Sequence, residues 1–284
     1  MKAIILSAST GGGHMSAAKA IKEYLNSHGA SADVIDALEY ISPLLNKTVT
    51  EIYEYLALKQ PAIWKMMYKS SNNKAVNRLV LGTNKLISKK LMPLIEEYKP
   101  DVIITTHPFT TEMISKLKSD NKVTVPLVCV MTDYAPHRAW ISPCVDAYIV
   151  SNEDMITPMI EMDVKADKIH PFGIPVDDAF FAKRDPQKAM NEIGFSSEIP
   201  TILIMAGSCG FANVGKIYSK LQSIETDFQI IIITGKNKKL FQKMQEMVEN
   251  KEPRKRAKIL LKISNKTSNL KHLKLITGLI ILKN

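Results

Sequence analysis

Short apolar runs alternate along this chain with segments whose apolar positions recur every three or four residues. KAIILSAS (2–9), SADVIDA (31–37), KPDVIITTH (99–107), VPLVCVMTD (125–133), AYIVSN (147–152) and IHPFGIPV (169–176) predict strands. Helical periodicity fills Met15–Ser27 and FTTEMISKLKSD (109–120). It also fills a long stretch up to Glu97, broken near Pro43, Pro61 and Asn72–Asn73. The alternation restarts after Pro200, with TILIMAGS (201–208) and FQIIIITG (228–235) as strands. FANVGKIYSKLQS (211–223) and NKKLFQKMQEMVEN (237–250) are the helices of that half. Near-continuous apolar strands joined by helices predict an α/β protein with parallel sheets covered on both faces.

The restart divides the chain. Each half opens on a strand, a glycine-bearing turn and a helix: SASTGGGH (7–14) in the first, MAGSCGFAN (205–213) in the second. Two Rossmann-like domains are expected, residues 1–172 and 173–284, facing one another across a cleft. FGIPVDDAFFAKRDP (172–186) is the linker.

Composition narrows the picture. In 284 residues, 45% are hydrophobic and 23% charged, which is globular. Cys129, Cys144 and Cys209 are odd in number and lack a C-x-x-C pair, against a disulfide framework or a zinc site and in favour of a reducing cytosol. No apolar run is long enough for a signal peptide or a membrane span. The net charge of +10 is uneven. From Glu249 to Asn284 ten Lys and Arg face two Glu, and residues 59–90 hold eight basic residues and no acidic one. In that second segment the charge is interleaved with Trp64, Met66, Met67, Tyr68 and Leu79–Val80–Leu81. Phosphate-backbone binding does not require such apolar side chains, so they favour an anionic membrane surface over nucleic acid, and the family resemblance given below is what puts the membrane first. Trp64, Lys65, Met67, Lys69 and Arg78 are the candidate contacts; a solvated lysine-rich helix face is the alternative.

Two loops carry candidate chemistry. Neither glycine turn matches G-x-x-x-x-G-K-[ST] or G-x-G-x-x-G, so a P-loop or a dinucleotide fingerprint is not expected. Gly11, Gly12 and Gly13 permit close approach to the backbone. His14 follows at the positive end of a helix, which disfavours imidazolium. It is either a neutral proton acceptor or a polar residue of the first turn. VMTDYAPHRAW (130–140) follows a buried strand and sets Asp133, His137, Arg138 and Trp140 at the carboxyl edge of the sheet, where open α/β proteins bind ligands. A metal would need further ligands that the sequence does not supply.

In order along residues 1–248, SASTGGGHMSAA, TDYAPHRAW, VSNEDM, FGIPVDDAF, IMAGSCGFANVGKI and ITGKNKKL resemble one family. It is the monogalactosyldiacylglycerol synthase and processive diacylglycerol glucosyltransferase group, related to the transferase that makes lipid II. The resemblance implies a GT-B fold. It further implies inverting transfer of a hexose from a UDP-sugar to diacylglycerol, with no metal and no cofactor beyond the UDP-sugar, by a peripheral enzyme on the inner face of the cell membrane. By the same resemblance His14 is the base or its neighbour, and Asp133 the base or the group that orients it. Gly207, Ser208, Gly210, Gly235 and Asn237 line the UDP side. The family's later K-P-G-G loop and acidic residue have no counterpart in the basic tail (about 249–284). That predicts an incomplete second domain and weak or absent transfer by this chain, leaving a lipid-binding remnant as one alternative function. A polyprenyl-linked acceptor is the other.

Overall fold

The computed structural model describes residues 1–9, 12–72, 85–183, 185–205, 213–235, 237–249 and 257–260. The chain forms two compact units, Met1–Asp177 and Asp178–Asn284.

The first unit is built on a six-stranded sheet in the order β2-β1-β3-β4-β5-β6. The strands are β1 (Lys2–Ser7), β2 (Ser31–Asp36), β3 (Val102–Thr105), β4 (Leu127–Val130), β5 (Ala147–Ile149) and β6 (Ile169–His170). Every neighbouring pair is parallel. Period-two alternation sends successive side chains of β1 to opposite faces. Ile4 and Leu6 pack with Ile103, Leu127, Met113, Ile114 and Leu117 on one face, while Ala3 and Ile5 pack with Ala18, Ile104 and Val130 on the other. That double burial is why the strands read as apolar runs rather than as alternating ones.

Helix α1 (Gly13–Ser27) covers one face through Ala17, Ala18 and Ala20, whose small side chains let it lie close. The long helical stretch resolves into α2 (Ala37–Ile41), α3 (Pro43–Lys59) and α4 (Pro61–Ser71). Asp36 caps α2 by accepting from the Leu38 and Glu39 N–H groups at 3.1 and 3.2 Å. Pro43 and Pro61, expected as interruptions, each stand in the first turn of a helix, where the missing N–H costs nothing. After α5 (Lys85–Ser88) and α6 (Met92–Tyr98), helix α7 (Pro108–Ser119) follows β3 and packs on the larger core face. The expected strand at 169–176 shrinks to two residues, because only Ile169 and His170 pair with β5.

In the second unit β7 (Thr201–Met205), β8 (Gln229–Ile233) and β9 (Ala257–Leu260) form a parallel sheet in that order. Ile230 and Ile232 face Val214, Tyr218 and Met244. Ile231 and Ile233 face Met190, Ile193 and Phe195. The sequence reading placed no strand at 257–260. Lys258, opposite Ile231, breaks the apolar run there, yet β9 completes the ladder with β8.

Candidate active site

At the carboxyl edge of the first unit's sheet, the ends of β1, β3 and β4 bring three segments together. The turn after β1 enters α1 with Gly12 as the residue before the helix, so His14 stands in the first turn. The end of β3 supplies Thr106 and His107, and the loop after β4 supplies Thr132, Asp133, His137 and Trp140.

His14 is the hub. Its Nδ1 lies 2.7 Å from the Thr132 hydroxyl. The Thr106 hydroxyl donates to the His14 carbonyl at 3.0 Å and sits 2.9 Å from the Ser7 hydroxyl, tying the start of α1 to the ends of β1 and β3. The His14 ring meets that of His107 edge to face at 4.6 Å and that of Trp140 at 5.8 Å. Burial pushes the His14 pKa below the ordinary histidine value. The nearby Asp133 carboxylate and a hydrogen bond to the Thr106 backbone pull it back without reversing the shift. A neutral His14 was expected from the helix end; burial is the larger cause, and the helix end acts in the same direction.

Asp133 is held from the opposite side, its Oδ2 accepting from Trp140 Nε1 at 2.8 Å. Trp140 is fully buried, so this is a satisfied indole anchoring the carboxylate beside His14. His137 is also buried, and its Nδ1 accepts the Ala139 N–H at 3.1 Å, capping the short turn Arg138–Trp140. His107 does the same for α7, its Nδ1 accepting from Phe109 N at 3.1 Å. Helix α4 reaches this loop as well: the Arg138 N–H donates to the Asn72 side chain at 3.0 Å. Among the described residues no three His, Cys, Asp or Glu side chains group as metal ligands.

The structure thus assembles His14, Asp133, His137 and Trp140, with Gly12 and Gly13 at the entrance of α1. His107, Thr106 and Thr132 were absent from the sequence reading. The tripeptide TTH (105–107) at the end of β3 lies on the same sheet edge as Asp133, and that was the available signal. In the second unit Gly235 takes a positive φ of 64°, and the Asn237 side chain accepts the Leu240 N–H at 2.9 Å near the start of α8 (Lys238–Glu249). Gly11, Gly207, Ser208, Gly210 and Arg78, together with the side chains of Trp64 and Met67, lie outside the described residues. Lys65 and Lys69 are exposed on α4.

Two buried histidines held neutral carry a consequence for stability. Burial and the neighbouring His14 hold His107 well below the ordinary value of 6.5, and His14 is shifted the same way. Between the folded values and 6.5 the unfolded chain binds protons that the folded chain does not, so stability rises with pH and is lost on acidification. We expect the urea midpoint to fall as pH is lowered from about 7.5 to about 5, and to fall less in His14→Gln. An equal fall in both proteins would assign the acid sensitivity elsewhere.

The family model for monogalactosyldiacylglycerol (MGDG) synthase matches residues 14–176. A processive diacylglycerol beta-glucosyltransferase from Bacillus pumilus is 29% identical over 250 residues, covering 87% of this chain and 64% of its own length. One from Bacillus mycoides is 27% identical over 261 residues with the same coverage, so the chain spans just under two thirds of these relatives. Among solved structures, Anabaena HepE in complex with UDP aligns over 96% of this chain and 71% of its own, with a TM-score of 0.53 at 13% identity. The UDP-N-acetylglucosamine 2-epimerase of Rickettsia bellii aligns over 97% and 71%, with a TM-score of 0.52 at 13% identity. These likenesses show the fold, which is of the GT-B type.

Proposed function

Since the chain belongs to the monogalactosyldiacylglycerol synthase family, we propose that it transfers a hexose from a UDP-sugar to the free hydroxyl of diacylglycerol, with inversion, at an anionic membrane surface. The observation that carries this reading is the buried, neutral His14 with a carboxylate beside it at the carboxyl edge of the sheet. Diacylglycerol as acceptor and UDP as leaving group accord with the names of the relatives and with HepE having been solved with UDP.

In the proposed step the His14 imidazole takes the proton of the acceptor hydroxyl. The oxygen attacks the anomeric carbon as the bond from that carbon to the UDP oxygen breaks, and UDP leaves with the bonding electrons. The imidazolium formed is stabilised by Asp133, while Thr132 holds the ring at Nδ1. As the family resemblance implies, Gly207, Ser208 and Gly210, outside the described residues, would offer backbone N–H groups to the departing diphosphate, and Gly235 and Asn237 would line the UDP side. No cofactor besides the UDP-sugar enters.

The membrane part of the proposal rests on α3 and α4. Leu44, Ile52, Tyr55, Ile63 and Met66 are exposed there beside the exposed Lys65 and Lys69. Apolar side chains among cations are the chemistry of an interfacial helix pair. Among the described residues no helix is long and apolar enough to cross a membrane.

The test is incubation of the purified chain with vesicles of phosphatidylglycerol and diacylglycerol and with UDP-glucose or UDP-galactose, the lipids then being analysed by mass spectrometry. Glycosyldiacylglycerol supports the proposal against the expectation of weak or absent transfer, and the donor consumed names the sugar. Salt-sensitive vesicle binding without product would leave only a lipid-surface binding module. Product from a polyprenyl-linked acceptor alone would change the acceptor.

A further inference from the structure

His107 belongs to neither loop motif and has no part in the step above, yet among the described residues it is the ring closest to His14. Its backbone at φ −140° and ψ 139° caps α7, and its Nδ1 accepts the Phe109 N–H. A neutral ring accepting at Nδ1 carries its proton on Nε2, so one tautomer is selected. The side of the ring is backed by Phe109, whose ring lies 5.8 Å away at 16°. Capping alone does not call for an imidazole here, because Asn or Ser caps at least as well without burying a titratable ring. The residue is 7% exposed.

We propose that His107 is a positioning residue whose fixed ring sets the orientation, and hence the tautomer, of His14. The His14 ring is held at two points: Thr132 at Nδ1 and the edge-to-face contact with His107 at an interplanar angle of 75°. The first acts through a hydrogen bond to a hydroxyl that can donate or accept, and leaves the ring free to tilt about it; the second fixes the tilt. The titratable groups bearing on His14 are Asp133 from the loop after β4, which favours its charged form, and His107 from the start of α7. Two buried imidazoles in contact resist carrying charge together, so the pair titrates as a unit in which one proton excludes the second. The effect on rate rests on the reading of His14 as the base; the effect on ring geometry does not.

Two variants separate this role from capping. His107→Asn keeps a good cap and removes the ring, whereas His107→Phe keeps a flat ring and removes the cap. Nitrogen-15 NMR of the full chain reads the tautomer directly, and with six histidines in the sequence the His14 signal is assigned by its loss in His14→Gln. We expect a single His14 tautomer at neutral pH in the unsubstituted chain and a mixture in His107→Asn, with the thermal midpoint of His107→Asn little changed. His107→Phe should keep the single tautomer while lowering the thermal midpoint. Transfer by His107→Asn should show kcat lower by about 10- to 100-fold with KM within about threefold, as expected when a catalytic group is misplaced by a fraction of an ångström to an ångström. An unchanged His14 tautomer in His107→Asn overturns the proposal, whatever happens to transfer. A mixed tautomer with unchanged kcat upholds the positioning and instead removes His14 from the reaction.

Discussion

Replacing His14 with glutamine is expected to lower hexose transfer by about 10²- to 10⁴-fold in kcat, with KM for both substrates nearly unchanged. The amide nearly preserves the length of the side chain and can still hydrogen bond to the Thr132 hydroxyl, but at neutral pH it takes up no proton. What is lost is therefore the route by which the acceptor hydroxyl sheds its proton as the anomeric carbon is attacked. Ground-state binding does not use that route, so the loss should fall on kcat. Vesicle binding should be retained, because α3 and α4 present their apolar and basic side chains independently of the imidazole. Steady-state transfer on diacylglycerol vesicles checks the rate, and flotation checks the binding. Loss of both together would mean that His14 acts through the fold.

The second large effect is expected from Asp133→Asn. The asparagine carbonyl can still accept from Trp140 Nε1, so the loop 132–140 should keep its shape and the protein its stability. Only the charge disappears. With it goes the influence that pulls the His14 pKa upward against burial, and with it the stabilisation of the imidazolium formed during transfer. We expect transfer to fall on the order of 10²-fold, as when a preorganised charge is removed from a site partly closed to water. His14 should also become harder to protonate, which moves the acid limb of the rate profile further down. A fall in rate with an unmoved acid limb would give Asp133 a direct role with substrate rather than one exerted through His14.

Much of the fold was legible because both faces of the first sheet are covered. Burial on both sides turns β1, β3 and β4 into unbroken apolar runs, and the helices between them keep a 3.6-residue period. β6 was overestimated because Pro171, Gly173 and Pro175 follow two paired residues inside an apolar string that otherwise reads as strand. β9 was missed because periodicity weighs Lys258 as a break, whereas a strand added beside β8 is chosen by the backbone ladder of Ile230–Ile233.

The site was legible to the extent that topology decides it. Asp133 and His14 converge because parallel strands end together at one edge, and the sequence order of strand and loop predicts that edge. The tether between Asp133 and Trp140 was not readable, since it depends on a turn whose cap is the ring of His137. His107 was hidden for a similar reason. Ahead of a proline it reads as the end of a strand, and only the pairing of β1 with β3 sets its ring against His14.

The pH dependence of kcat/KM for transfer to diacylglycerol decides whether a neutral, buried His14 takes the acceptor proton. Transfer should hold its rate through neutral pH and decline only below the ordinary histidine value of 6.5, with a slope of one proton that disappears in His14→Gln. A profile without an acid limb, or one already falling above 6.5, would contradict it.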